Sequence, residues 1–219
     1  MIEPPVIGRH VFLRPVSQAD YDVIRAVESS GENQVLYRQK GTTPSPEEFV
    51  ARLWAGVLAQ FMVCEKSSGR PVGVVAAYGA DFRNGHAYLA SIVFPDDLGR
   101  GWPLEGTELF IEYLFETFGL RKLYGETSSA VLQSFPSALA DVGREEGRLV
   151  GHEFIRGVLV DKVILAIYRD EWSNRRQPTS GPSKLGAALR HELADSQVGN
   201  LASKMTTRSG SGTEVKDVD

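Results

Sequence analysis

Three apolar runs joined by short turns restrict this chain more than any other feature. FMVCEK (61–66) and PVGVVAAYGA (71–80) flank Ser67-Ser68-Gly69-Arg70, which reads as a hairpin turn. HAYLASIVFP (86–95) follows Asn84-Gly85, a second turn signal. Turns this short join antiparallel neighbours, so the middle of the chain must be a sheet. VFLRPV (11–16) alternates and is rich in β-branched and aromatic residues, so it is a strand. KLYGETS (122–128) is another, and RLVGHEFIRG with VLVDKVILAIYRDEW closes the chain as an antiparallel pair. Helices separate these strands. Ser17 and Asp20 precede YDVIRAVESS, and Ser45 with Glu48 forms a capping box opening FVARLWAGVLAQ (49–60). From Trp102 to Phe118, Leu104, Leu109, Leu114, Phe115 and Phe118 share one broad helical face. A short helix is expected over Phe135–Val142. The order β, α, α, β, β, β, α, β, α, β, β predicts an α+β fold: one central mixed, mostly antiparallel sheet flanked by about four helices.

Composition sets the limits of that domain. The last aromatic residue of the 219 is Trp172. Residues 173–219 hold 7 Lys+Arg, 5 Asp+Glu and much Ser, Gly and Thr, too little apolar surface to offset the entropy of ordering. The domain is therefore read as 1–172 and the remainder as a disordered polar tail. Leu185, Leu189 and Leu193 recur every four residues within KLGAALRHEL, as in a fraying surface helix or a docking peptide. The 24 Lys+Arg against 28 Asp+Glu give a net charge of -4, so no nucleic-acid or anionic-membrane partner is expected. No run approaches the ~18 apolar residues of a membrane span. MIEPPVIGRHVFLRP has no basic segment leading into an apolar one. The one cysteine, Cys64, lies in an apolar strand and reads as a buried thiol. These features place the chain in the cytoplasm. No pair of His or Cys has metal-ligand spacing, so no metal is expected.

VFPDDLGRGWPLEG (93–106) joins the strand ending near Pro95 to the helix opening at Trp102–Pro103. Glycine permits positive φ and leaves backbone N–H groups uncovered. Proline suits a first helical turn. Arg100 and the helix start add positive charge, so a diphosphate fits here. A plain strand-turn-helix connection fits the same residues. The spacing matches neither the P-loop nor the dinucleotide fingerprint.

This stretch resembles the acyl-CoA loop of the GNAT N-acetyltransferase superfamily. Further segments agree in order: VFLRPVSQADYDVI, LFETFGLRKLYGET, VGREEGRL, and Gly157…Asp161…Tyr168-Arg-Asp-Glu-Trp172. The resemblance covers about residues 9–172, nearer to the branch with ribosomal-protein and some aminoglycoside acetyltransferases. It implies acetyl-CoA or another acyl-CoA as cosubstrate. Val93 and Phe94 would hold the pantetheine arm in a gap where the strand splays from its neighbour. Gly99, Arg100, Gly101 and Trp102 would cradle the pyrophosphate. Four positions depart from the family pattern. Leu98 stands where Arg or Gln is usual, and Pro103 replaces a Gly or Ala and removes one N–H. Arg144 replaces an aromatic, and Tyr88 stands near a common Glu. A charge-assisted hydrogen bond lost in the cradle costs roughly 1.5–3 kcal/mol.

Acyl transfer to an amine needs a route for the amine's proton, an oxyanion site and an acid for the thiolate. Glu126, at the end of its strand, is the candidate base; it also reads as a solvated strand-end charge. Ser134 is the candidate acid or, equally, a helix N-cap, and the family's Asn falls on Val131 or Leu132, depending on the alignment. Tyr88, His152 and Asp161 are candidates for the acceptor site, and Asp161 alternatively caps a turn. His86 reads as an exposed turn histidine. Glu108, Glu112 and Glu116 read as a solvated helix face. The expected function is N-acylation of a primary amine, small molecule or peptide, by direct attack in a ternary complex. A catalytically weak acyl-CoA-binding module and an acyltransferase tailoring a specialised metabolite are the competing readings. The resemblance also allows a homodimer. If the tail is disordered, a chain ending at Arg176 melts at the same temperature as the full chain. A large drop would show that residues 177–219 pack on the domain.

Overall fold

The computed structural model describes residues 6–31, 37–97, 101–134 and 143–175. The elements are β1 (Val6–Ile7), β2 (Val11–Pro15), α1 (Tyr21–Glu28), α2 (Pro46–Trp54), β3 (Val57–Glu65), β4 (Pro71–Asp81) and β5 (His86–Val93). Then come α3 (Trp102–Thr117), β6 (Lys122–Ser128), α4 (Ser129–Ser134), β7 (Arg144–Ile155), β8 (Val158–Tyr168) and α5 (Arg169–Arg175). The strands form one sheet in the order β1-β2-β3-β4-β5-β6-β8-β7. Every neighbouring pair is antiparallel except β5 and β6, which are parallel and joined through α3. The α+β architecture expected from the sequence is the observed one. The expected helix over 135–142 and the tail after Arg175 lie outside the described residues.

Alternation along β3 splits the core between the two faces of the sheet. Phe61 and Val63 join Leu13, Val75 and Leu89 against Phe110, Ile111, Leu114 and Phe115 of α3. Met62 and Cys64 join Val74 and Ile92 on the other face, against Ile24 of α1 and Phe49 and Leu53 of α2. Cys64 is fully buried, and burial raises its thiol pKa, as expected of an inert cysteine. Helix α3 lies directly on the sheet at Gly106, where a Cβ would stand 2.4 Å from Val63 Cγ1.

Two local expectations are corrected. Helix α2 stops at Trp54, not Gln60: Gly56 takes a φ of 65°, and Val57, Ala59 and Gln60 pair with β4. VLAQ continues the FMVCEK strand because sheet pairing outweighs its helical spacing. The buried face of α3 is Thr107, Phe110, Ile111, Leu114 and Phe115, whereas Leu104 is exposed. A helix after β6 begins at Ser129, because the Ser128 hydroxyl accepts the Val131 N–H at 3.2 Å. The Ser45 cap is present, with its hydroxyl accepting the Glu48 N–H at 3.2 Å. Glu48 itself reaches forward to Arg52 rather than back to Ser45.

The entrance to α1 is held by one buried carboxylate. Asp20 accepts both terminal nitrogens of Arg14 at 2.7 and 2.6 Å, and the Ser17 N–H and hydroxyl, each at 2.8 Å. The Arg14 guanidinium and these hydrogen bonds lower its pKa from 3.8 to about 2. The stabilisation is complete above the unfolded value and is lost as pH falls toward the folded one. Asp20→Asn should cost about 2 kcal/mol at pH 7. In melts across pH that deficit should shrink between pH 4 and pH 2; a constant deficit would contradict the assignment.

Candidate active site

Strands β5 and β6 pair at His86–Lys122, Ala87–Leu123, Tyr88–Tyr124 and Leu89–Gly125, and the ladder ends there. Beyond that point β5 stays with β4, pairing Ala90–Ala76 through Val93–Gly73. Strand β6 stays with β8, pairing Glu126–Ile164 through Ser128–Lys162. The two strands therefore diverge. Backbone groups of Ala90–Val93 that face away from β4 have lost their ladder partner and need water or a ligand. This is the gap expected beside Val93. The Ser91 hydroxyl stands 2.8 Å from that of Thr107, which bonds the Pro103 carbonyl, so the end of β5 is tied to α3.

The turn leaving β5 is anchored before the glycines begin. Asp97 is fully buried and takes a bidentate pair from Arg70 on the β3–β4 hairpin at 2.8 and 2.7 Å. Leu98, Gly99 and Arg100 lie outside the described residues. Gly101 precedes α3 with a φ of 75°, and a Cβ there would meet nothing within 4 Å. Its glycine thus serves backbone conformation rather than space. Trp102 and Pro103 open the helix. At Phe94 the backbone groups expected to meet the cofactor have partners within the protein. Its side chain is buried with Met62 and Cys64, its N–H bonds Val72, and its carbonyl accepts from Asp97.

On the face opposite α3, three tyrosines from adjacent strands form a row. Tyr88 lies between Tyr78 and Tyr124, with ring centroids 5.6 Å away on each side. His86 packs edge-on against Tyr124 at 5.5 Å. It is thus not an exposed turn residue: its Nδ1 is buried without a hydrogen-bond partner, and its Nε2 lies 3.9 Å from Asp81. Glu126 is the first β6 residue past the last pair with β5, at the lip of the gap. Its carboxylate accepts from Lys162 at 3.0 Å. Lys162 lies 3.8 Å from Glu153, which pairs with Lys40 at 3.0 Å. Burial, then the Glu126 charge, raises the Tyr78 pKa.

The remaining candidates are more dispersed. Ser134 ends α4, and its side chain lies outside the described set. His152 is exposed on β7. Asp161 accepts the Gly151 N–H at 2.9 Å and Arg148 at 3.3 Å, and the first of these leads in lowering its pKa. It braces the β7–β8 hairpin. Arg144 lies 4.2 Å over the Tyr168 ring in a cation–π contact and pairs with Glu171 at 3.1 Å.

Residues 10–135 match the family described as acetyltransferase (GNAT) domain. The chain belongs to that family. This assigns it to the acyl-CoA-dependent N-acetyltransferases. No curated protein matches it significantly in sequence. Its fold is similar to that of the spermidine N-acetyltransferase from Vibrio cholerae solved with CoA and spermine. The TM-score is 0.66 at 19% identity, covering 76% of this chain and 100% of that one. Mutant forms of the same Vibrio cholerae enzyme match at TM-score 0.66 and 18% identity, over 77% and 99% of the two chains.

Sequence reasoning missed Tyr78, Tyr124, Lys162 and the Arg70–Asp97 pair. Their partners lie on other strands, and no local spacing signals them. Gly101→Asp tests the cradle. Open space surrounds the new side chain but a φ of 75° strains it, so the variant should fold with lowered stability and lose acetyl-CoA binding, and Gly101→Ala, with the same strain and no charge, separates the carboxylate's effect from the backbone's. Unchanged affinity would remove Gly101 from the phosphate site.

Proposed function

We propose that the protein transfers an acetyl or related acyl group from acyl-CoA to a primary amine by direct attack in a ternary complex. One observation carries this reading: in a GNAT chain, β5 parts from β6 after Leu89–Gly125, just before the glycine turn into α3. An acyl-CoA supplies the activated thioester. Unpaired backbone groups of Ala90–Val93 fit the amides of its pantetheine arm, and an N–H there would polarise the thioester carbonyl. The backbone of Gly101 and Trp102 would hold the diphosphate together with Gly99 and Arg100.

Glu126 is the proposed proton acceptor, directly or through a water. Its carboxylate is held by Lys162 at 3.0 Å. The Tyr78–Tyr88–Tyr124 row forms the floor on which a cationic amine would rest before it loses its proton. Such an acceptor could be a polyamine, an aminosugar or a peptide N-terminus. The solved complex of the Vibrio cholerae enzyme with CoA and spermine supports the polyamine class. His152 would lie at the acceptor's entrance, with Asp161 acting through the hairpin it braces, and Ser134 would return a proton to the leaving thiolate. The buried Cys64 supports a reducing, cytoplasmic setting. No helix among the described residues is long and apolar enough to cross a membrane.

We also propose a homodimer through the β7–β8 hairpin. Strand β7 is a sheet edge, and Val150, Phe154, Val158 and Leu159 of the hairpin are all more than half exposed. A second copy pairing there would cover both the open edge and this apolar patch. Sedimentation should show a dimer that Phe154→Asp converts to monomer; a monomeric wild-type chain would exclude it.

Calorimetric titration with acetyl-CoA, followed by thiol release over a panel of amines, tests the activity. Micromolar binding with turnover is expected. Glu126→Gln should lower kcat about a hundredfold with acetyl-CoA affinity unchanged. Tyr88 at the family's carboxylate position and Lys162 on Glu126 favour the second reading, a catalytically weak binding module. Tight CoA binding without turnover on any amine would carry that reading instead.

A further inference from the structure

Glu28, the last residue of α1, is 1% exposed, and its carboxylate is only half satisfied. One oxygen accepts from Gln39 Nε2 at 3.1 Å. The other, Oε1, is buried with no hydrogen-bond partner among the described residues. It lies 3.7 Å from Arg38 Nη1, which also has none. That separation is too long for a hydrogen bond. Arg38 Nη2 reaches Gln60 Oε1 at a long 3.4 Å, and Gln60 Nε2 is a third buried atom without a partner. One cluster thus holds two unmet hydrogen-bond donors and one unmet acceptor, each costly to bury unpaired. The neighbouring polar groups are engaged: Gln39 Oε1 and the Thr42 hydroxyl both accept from Arg52, at 3.4 and 3.0 Å.

The cluster shares a face with the candidate active site. Gln60 pairs with Ala76, and Ala76 with Ala90, the first β5 residue past the last pair with β6. By alternation all three lie on the face of Met62, Val74 and Ile92, opposite α3, as does the neighbouring tyrosine row. Along that row two alanine methyl groups, and no larger side chain, lead from Gln60 to the gap. Lys40, in the same turn as Arg38, is tethered to the gap through Glu153 and Lys162, the partner of Glu126.

We propose that Glu28, Arg38 and Gln60 form a specificity subsite for a hydroxyl group carried by the amine substrate. The inference rests on the acyl-transfer reading above and narrows the amine class of that same site. A hydroxyl donates and accepts through one oxygen. Between Glu28 and Arg38 it donates to the carboxylate and accepts from the guanidinium, and Gln60 Nε2 supplies a further donor. A second ammonium on the substrate would face Arg38, and a carboxylate would face Glu28. The two charges already balance, so a neutral group completes the cluster best. Arg38 is its partly exposed member, with 23% of its side chain accessible, so the guanidinium is the part that moves to admit the ligand. Two strand spacings, about 10 Å, separate Gln60 from Ala90 across the sheet, so the hydroxyl sits several bonds from the attacking nitrogen.

The test measures initial rates of the full chain with acetyl-CoA, pairing aminopropanol and aminopentanol each with the plain alkylamine and the diamine of the same length. At least one amino alcohol should exceed its alkylamine in kcat/KM by about tenfold or more, because the alkylamine leaves buried polar groups unpaired. Gln60→Met keeps the side chain's length and removes its donor, so it should bring that ratio toward one. A merely structural role for Gln60 would lower both rates together and leave the ratio as it was. Equal wild-type kcat/KM within both pairs would overturn the subsite, even if the variant failed to fold. A preference for the diamines, or a hydroxyl preference undiminished in both Gln60→Met and Arg38→Met, would overturn it too. Absence of turnover on every amine would sink the acyl-transfer reading itself, a different failure from the loss of this subsite.

Discussion

Parallel pairing between β5 and β6 lasts for four residue pairs and then stops. The rest of the structure depends on that limit. Each strand has a second neighbour that keeps it straight: β4 beside β5, and β8 beside β6. Divergence therefore does not unravel the sheet. It opens a slot whose walls are backbone N–H and C=O groups with no sheet partner, which is the kind of surface that can hold an extended, amide-bearing arm. Aromatic and charged side chains then collect on one face of the slot, and α3 covers the other.

Helix α3 must arrive at the end of β5 at a fixed height for this slot to be usable. Gly106 brings it onto Val63, with no room for a Cβ. Glu105 ties its first turn to the β1–β2 turn, and Thr107 ties it to Ser91. Asp97, through Arg70, fixes the start of the connecting turn to the β3–β4 hairpin. All these contacts converge on the N-terminal third of the helix, the part beside the glycine turn. The tyrosine row and the Lys40–Glu153–Lys162–Glu126 chain of ion pairs act on the opposite face. In the proposed reaction one face would hold the cofactor's phosphates and the other the acceptor amine.

Much of this was legible in the sequence where the signal was local. Ser67–Arg70 marked the β3–β4 hairpin, Ser45 marked the start of α2, and Gly101 with Pro103 marked the start of α3. Glu126 was singled out as a strand-end carboxylate, and it does lie at the lip of the gap. Borders failed where one sequence satisfies two periods: VLAQ extends a helical pattern yet pairs with β4. The core face of α3 was misread because Leu104 looks apolar but faces solvent. Phe94 was grouped with Val93 for a backbone contact, but its N–H and carbonyl are taken by Val72 and Asp97, partners that its place in the sequence does not show. The partners of Tyr88, Glu126 and Asp97 could not be read, since each is supplied by a strand distant in sequence.

The central claim is that an acyl-CoA arm completes the interrupted ladder of β5. Amide hydrogen exchange with and without acetyl-CoA tests it most directly. Protection should rise at Ala90–Val93 and at Gly101–Trp102, with no change at the already paired Ala87–Leu89. Protection confined to other strands, or no change in β5 at saturating acetyl-CoA, would contradict the account.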